Sequence, residues 1–109
     1  MRRGEFYRTN VTPGADPRSY RIYLVVGRQE AIDSSYSTVI CAPVYSQRSG
    51  LRTEVHVGPD EGLRHESSVR CDDLISVPKR ALTNYVGALG PAKLAELKHA
   101  LKVALELED

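Results

Sequence analysis

The chain has 109 residues, of which 41% are hydrophobic, and a formal net charge of +1 at pH 7. This length predicts a single domain, residues 1–109, and leaves no room for two. No run approaches the 18 apolar residues of a membrane-spanning helix, and the first residues lack a signal peptide's apolar run, so we expect a cytoplasmic protein with no membrane partner. Cys41 and Cys71 lie inside apolar runs without a CxxC pair, which predicts two buried free thiols in a reducing compartment.

Arginine is concentrated in the first half of the chain. Residues 1–52 contain eight Arg and four acidic residues, whereas residues 53–78 contain two Arg and six acidic residues. Arg binds phosphate through two parallel hydrogen bonds, which Lys cannot match, so this half suits a polyanionic partner. A solvated surface with ordinary ion pairs is the alternative interpretation.

The residue patterns predict strands over most of the chain. Segments rich in β-prone or apolar residues predict strands at 5–11, 21–27, 38–44, 53–57 and 68–75. The apolar run at 21–27 is typical of a central strand buried on both faces, whereas Pro43 implies an edge or a bulge in the next strand. A polar stretch separates these two strands. Residues 78–82 predict one helical turn before a short strand around Tyr85 and Val86.

The last segment changes to a helical period. Pro91 fits the first position of a helix with Gly90 as its cap. Apolar residues then recur at helical spacing, at Leu94, Leu97, Leu101, Ala104 and Leu105. Five or six short strands with one such helix favour a small closed or half-closed antiparallel barrel, with the helix packed across it.

The sequence contains no recognisable metal-binding or nucleophile motif. His56 alternates with two valines, which indicates an exposed strand position, and His99 belongs to the polar face of the helix. His65 lies in a charged loop and is a weak candidate for an acid or base.

A series of short motifs occurs in a fixed order along the chain. It consists of Arg3-Gly4-Glu5 before Phe6 and Tyr7, then Gly14, Asp16 and Arg21 before Leu24-Val25-Val26, then Val44-Tyr45-Ser46-Gln47, Ser68-Val69-Arg70-Cys71-Asp72, Lys79, Leu82, Gly87, Pro91 and the final helix with Ala100 to Leu105. In order and spacing this series resembles the MazF/PemK family of toxin endoribonucleases over essentially the whole chain.

The resemblance implies a mainly β fold with α structure, a small SH3-like antiparallel β-barrel with a C-terminal α-helix, which forms a homodimer. It implies the toxin of a toxin–antitoxin system, an endonuclease that cuts single-stranded RNA at short preferred sequences without a metal or other cofactor. The products would carry a 2′,3′-cyclic phosphate and a 5′-hydroxyl. The implied protein partner is a cognate antitoxin, which blocks the RNA groove with a flexible segment.

The resemblance also implies catalytic residues. Arg21 matches an Arg at the start of the family's second strand, and Asp16 matches its acidic loop residue. A guanidinium stabilises the charge that builds up on the phosphoryl oxygens when a ribose 2′-OH attacks its own phosphate. Arg21 cannot act as a simple base, because the pKa of Arg lies above ~12. Asp16 either orients Arg21 or accepts the 2′-OH proton, and both roles stay open.

The chain departs from the family pattern at the position of the usual catalytic Thr. Tyr45 aligns with that Thr and Ser46 is its neighbour, so both are candidate catalytic residues. Adjacent strand residues point to opposite faces, so Ser46 can replace the Thr only if a bulge shifts the register. Tyr45 either offers its hydroxyl to the phosphate or stacks a base.

Other positions near these residues are predicted to bind RNA, namely Arg18, Tyr20, Gln47, Arg48 and Arg52. Ile22 replaces the Pro that usually follows the Arg, and Asp73 and Ile75 stand where many relatives carry Gln and Arg. These differences bear on RNA specificity and activity rather than on the fold. Two other functions stay open, a non-catalytic RNA- or protein-binding module on the same barrel and a gyrase-poisoning toxin.

Overall fold

The computed structural model describes residues 1–9 and 20–107. Asp16, Arg18 and the end of the strand predicted at 5–11 lie outside the described residues. The elements in chain order are β1 (Glu5–Thr9), β2 (Ile22–Val25), α1 (Gln29–Asp33), β3 (Thr38–Tyr45), β4 (Glu54–Val57), β5 (Ser67–Arg70), β6 (Ile75–Pro78), β7 (Leu82–Ala88) and α2 (Pro91–Ala104), with short 3-10 turns at Pro59–Glu61, Cys71–Asp73 and Lys79–Ala81.

The strands form one antiparallel sheet. Its order is β4-β5-β3-β2-β1-β7, and β6 pairs with β3 beside β5. The prediction of a mainly β fold with a C-terminal helix is confirmed. Between the two ends of this path, β4 and β7, the described residues make no strand pairing, so the sheet is open rather than a closed barrel.

The sheet buries side chains on both faces because successive residues of a strand point to opposite sides. The larger core lies between the sheet and α2, and includes Phe6, Leu24, Val55, Val69, Leu97 and Ala100. The smaller core lies on the other face and consists of Val25, Ile32, Val39, Cys41, Val77 and Leu82. Leu24 and Val25 are both fully buried, one in each core, so the prediction of a central strand buried on both faces is confirmed.

The single strand predicted at 68–75 is wrong. The chain instead forms β5 and β6, which follow one another along the same side of the eight-residue strand β3. The turn Cys71–Asp73 between them is held to the residue before β4. The N–H of Cys71 donates to the carbonyl of Thr53 at 3.0 Å, and the Thr53 hydroxyl donates to Asp72 at 2.6 Å.

Pro43 lies inside the sheet, so the predicted edge or bulge is wrong. It is opposite Tyr23 of β2, and the register on that side is regular. On its other side, β3 changes partner from β6 at Cys41 to β5 at Val44. Pro43 therefore lies in the interval between two ladders, where the missing N–H interrupts neither of them.

Two of the helical segments were predicted from the sequence and one was not. The helix starting at Pro91 and the single turn near residue 80 are confirmed, although Leu105 falls just past the end of α2. The sequence reading missed α1, which occupies part of the stretch assigned as polar loop, and gave β7 as a much shorter strand. No helix of the described residues is long and apolar enough to cross a membrane.

Candidate functional site

The strand register brings Arg21 and Tyr45 to the same place on the sheet. Strands β2 and β3 pair Tyr23 with Pro43 and Leu24 with Ala42. Continuing this register by two residues places Arg21 opposite Tyr45. Directly opposite residues share a face, so both side chains lie on the face of the smaller core, at the end of the two strands.

Arg21 has a backbone held by hydrogen bonds to β1 and an exposed side chain. Thr9 of β1 donates its N–H to the Arg21 carbonyl at 2.9 Å, and the Arg21 N–H donates to the Thr9 hydroxyl at 3.3 Å. The side chain is exposed, and its guanidinium has no ion pair with any residue of 1–9 or 20–107. Such an arginine is available to an anion that approaches this end of the sheet.

Tyr45 is held by one side chain of β5 and by one side chain of the turn that follows β5. The guanidinium carbon of Arg70 lies 4.8 Å from the centre of the Tyr45 ring, which is the geometry of a cation–π contact. The Tyr45 hydroxyl donates to Oδ2 of Asp73 at 3.4 Å, a long hydrogen bond. The Tyr45 residue nevertheless remains 37% exposed.

A buried carboxylate anchors Arg70. The side chain of Glu54 is fully buried, and its Oε2 lies 3.5 Å from Nη2 of Arg70. The same carboxylate accepts backbone N–H groups of Ser49 and Gly50 at 3.0 Å, which fixes the loop between β3 and β4. The Nε of Arg70 is buried without a hydrogen-bond partner in the described structure.

Ser46 and Gln47 follow Tyr45 at the end of β3. The pairing of Val44 with Val69 and of Tyr45 with Ser68 is regular, so no bulge moves Ser46 onto the face of Arg21. The Ser46 side chain is exposed. Gln47 is also exposed, and its carbonyl accepts a hydrogen bond from the Ser68 hydroxyl at 2.6 Å.

Within residues 20–107, the other side chains predicted to bind RNA are not gathered at one point. The Arg48 guanidinium donates to the carbonyls of Ser67 and Val57 at 3.2 and 3.1 Å and pairs with Glu66, so it fastens the loop before β4 to β4 and β5. Arg52 is exposed in that same loop.

Tyr20 lines a cavity of about 350 Å³ together with Arg8, Arg64 and His65. His65 and His56 are exposed, as predicted for His56. The described residues include no group of three or more His, Cys, Asp or Glu side chains that could hold a metal ion.

The two thiols are buried and unpaired, as predicted. Burial raises the pKa of Cys41 to about 12, and burial together with the nearby Asp72 raises the pKa of Cys71 to about 11. The thiolate is the nucleophilic form, so neither cysteine is suited to attack a substrate.

Sequence reasoning missed Arg70 and Glu54 as parts of this site. They are directly opposite each other in the β4–β5 pair. A signal was present, because an acid and an arginine stand at matching places in the two strands that flank the turn at 58–62. The sequence predicts this pair only when the register of the β4–β5 hairpin is known.

Comparison with known proteins identifies the family. The model of the family described as PemK-like, MazF-like toxin of type II toxin–antitoxin system matches residues 2–105. A curated relative from Mycolicibacterium smegmatis, named as a probable endoribonuclease MazF, is 30% identical over 107 residues and covers 96% of each chain.

The structure is also similar to solved structures of toxins and endoribonucleases. The Mycobacterium tuberculosis toxin MazF-mt6 has a TM-score of 0.81 and 25% identity, with 96% of this chain and 99% of that chain covered. An endoribonuclease from a mycobacterial species, solved in complex with its cognate antitoxin, has a TM-score of 0.82 and 25% identity, with 98% and 96% covered. The chain therefore belongs to the PemK-like, MazF-like toxins of type II toxin–antitoxin systems, a family of toxin endoribonucleases.

Proposed function

We propose that this toxin cuts single-stranded RNA at short preferred sequences without a metal, and that Arg21 is its central catalytic residue. The observation that carries the proposal is the exposed Arg21 guanidinium, which has no ion pair with residues 1–9 or 20–107 and directly precedes β2 on the sheet face that also carries Tyr45. The family membership supports the reaction class.

The reaction is an internal transfer of the phosphoryl group. The ribose 2′ oxygen forms a bond to phosphorus and loses its proton to a base, while the bond between phosphorus and the 5′ oxygen breaks. The departing 5′ oxygen takes up a proton, so the ends are a 2′,3′-cyclic phosphate and a 5′-hydroxyl. Arg21 donates hydrogen bonds to the phosphoryl oxygens, whose negative charge increases in the transition state.

The acid–base groups follow from the sequence. Asp16 is the candidate base or the residue that orients Arg21, and Ser46 is a secondary candidate because its strand alternation directs it away from Arg21. Tyr45 contacts the RNA beside Arg21. The predicted RNA contacts are Arg18, Tyr20, Gln47 and Arg52, and Arg48 contributes less because its guanidinium is already engaged with β4 and β5.

The proposal extends to the assembly. One domain over residues 1–109 adopts an SH3-like, half-closed barrel, forms a homodimer in the cytoplasm and is inhibited by a cognate antitoxin. Structural neighbours solved with an antitoxin support this last point.

The test replaces Arg21 by Ala and measures cutting of a long single-stranded RNA in excess chelator. Wild type yields fragments with cyclic phosphate ends, and Arg21→Ala cuts at least about a hundredfold more slowly, the usual effect of losing a transition-state donor. Arg80→Ala is the matched control, because Arg80 is exposed on the turn Lys79–Ala81.

Three results would contradict the proposal. If Arg21→Ala cuts as fast as wild type, the guanidinium does not stabilise the transition state. If chelator stops the cutting, the reaction depends on a metal. RNA binding without any cutting by wild type would instead indicate the non-catalytic module. A circular dichroism melt like that of wild type shows that the variant is folded.

A further inference from the structure

We propose that Tyr45, Arg70 and Asp73 form a binding subsite for one nucleobase next to the scissile phosphate, and that this subsite favours guanine over uracil. The inference rests on the proposed function for the position of that phosphate, because the β2–β3 register, extended by two residues, puts Tyr45 opposite Arg21. The subsite itself rests on contacts that the structure displays.

One face of the Tyr45 ring is covered by a cation. The Arg70 guanidinium lies 4.8 Å from the ring centre, and Arg70 is anchored from within the protein by the buried Glu54. A base would stack on the face away from Arg70, and the Tyr45 residue is 37% exposed. A planar base can stack there, so that the ring is sandwiched between the guanidinium and the base.

The ring is held in place before any RNA binds. Tyr45 is the last residue of β3 and is paired with Ser68 of β5. Its hydroxyl is turned towards Asp73, at 3.4 Å from Oδ2. A hydroxyl that donates to a carboxylate does not donate to a phosphate at the same time, which favours stacking over the hydroxyl–phosphate contact for Tyr45. An ordered aromatic platform also loses little conformational freedom when it binds a base.

Asp73 supplies the base preference. Its side chain is exposed at the hydroxyl edge of the ring, on the turn Cys71–Asp73. An ionised carboxylate accepts hydrogen bonds and donates none. Guanine presents a ring N–H and an amino group side by side on its Watson–Crick edge, whereas uracil presents one N–H flanked by two carbonyl oxygens that the carboxylate repels. The carboxylate therefore selects guanine and rejects uracil.

The experiment measures binding without cutting. Short single-stranded RNAs with 2′-O-methyl groups cannot be cleaved by 2′-OH attack. Their affinities, with G or U at one position in an otherwise constant sequence, are measured by fluorescence anisotropy. Wild type is expected to bind the best G-containing RNA about tenfold more tightly than its U counterpart, and Asp73→Asn is expected to lose that ratio, since a carboxamide both donates and accepts.

Tyr45→Ala tests the platform. It is expected to bind both RNAs about tenfold more weakly, the usual loss for one base–aromatic stack, and Tyr45→Phe is expected to lose less affinity than Tyr45→Ala. The matched controls are Tyr36→Ala, which removes another exposed tyrosine, and Asp60→Asn, which removes another exposed carboxylate.

The outcomes separate this inference from the proposed function. Wild type that fails to cut RNA, but binds it with a base preference that Asp73→Asn removes, would overturn the function and support the subsite. The subsite would be overturned if wild type cuts RNA through Arg21 but the variants at Tyr45 and Asp73 match the control variants. The match would be in their affinity for RNA and in their preference for G over U. Failure of wild type to distinguish G from U at any position would also overturn the subsite.

Discussion

Two buried cysteines and one partly buried tyrosine are held in their neutral forms. Cys41 belongs to the smaller core and Cys71 to the larger one. Tyr7 donates its hydroxyl to Oε1 of Glu5 at 2.9 Å. Burial raises the pKa of all three, to about 12 for Cys41 and Tyr7 and to about 11 for Cys71, and the bond to the Glu5 carboxylate adds to the effect on Tyr7. Folding therefore opposes their ionisation.

Because folding opposes their ionisation, the folded state should become less stable as the pH becomes alkaline. An unfolded thiol ionises near pH 9, whereas the folded thiols stay protonated up to their raised pKa values. Their contribution is therefore complete below the unfolded pKa and is lost as pH rises through the folded pKa. When the pH rises from about 8 to about 10, the free energy of unfolding should fall by about 1 kcal/mol for each thiol.

Urea unfolding at the two pH values, with a reducing agent present, measures this loss. The double variant with Cys41→Ala and Cys71→Ala should be less stable than wild type at both values, because it leaves cavities. Its loss between the two pH values should nevertheless be smaller by about 2 kcal/mol. An equal loss in wild type and double variant would mean that the thiols ionise in the folded protein as easily as in the unfolded chain.

Two glycines bring the ends of the open sheet together. A Cβ on Gly87 of β7 would lie 1.9 Å from the carbonyl oxygen of Glu61, and a Cβ on Gly62 would lie 2.5 Å from the carbonyl oxygen of Val86. Gly62 also has a φ of 98°, which favours glycine. The backbone of the turn that follows β4 therefore packs directly against the backbone of β7, although β4 and β7 do not pair.

We expect Gly87→Ala to destabilise the fold by more than about 2 kcal/mol, because the new methyl group would force two backbones apart. Gly90→Ala is the matched control. A Cβ there meets nothing within 4 Å, and Gly90 has a φ of −81°, so we expect a cost below about 1 kcal/mol. Thermal unfolding of both variants measures the difference. Equal melting temperatures would show that the contact between the turn and β7 is easily displaced.

The elements differ in how far the sequence determines them. The helix α2 is readable because Pro91 and the recurrence of Leu94, Leu97 and Leu101 depend on local spacing. The division of one predicted strand into β5 and β6 depends instead on β3, a distant strand long enough to pair with both. No local pattern at residues 71–73 reports that length, so the turn there could not be predicted.

The candidate site shows the same division between local and distant information. The ordered series of motifs predicts Arg21 and Tyr45 as catalytic residues, and strand alternation puts both on the face of the smaller core. Arg70 and Glu54 were not identified, because their pairing depends on the register of the β4–β5 hairpin and on how deeply Glu54 is buried. Burial of a charged residue is a property of the whole fold.

The face that carries Arg21 and Tyr45 also carries exposed apolar side chains. Ile75 is opposite Cys41 and Tyr85 is opposite Tyr7, so both lie on this face, with exposures of 47% and 59%. A standard interface buries about 800 Å² on each partner. One chain exposes 6858 Å², so a dimer through part of this face would leave most of the surface free.

A groove that runs across two subunits would offer a long RNA a more extensive contact than the surface of one small domain. We expect sedimentation at micromolar concentration to give a dimer, and Ile75→Glu to shift it towards monomer, because a buried unpaired carboxylate is costly at an interface. Leu105→Glu is the matched control, since Leu105 is equally exposed but lies just past α2, on the other side of the sheet. A monomeric wild type would contradict the proposed assembly. A dimer that resists Ile75→Glu but not Leu105→Glu would place the interface at the helix, and the groove would then have to be formed within one subunit.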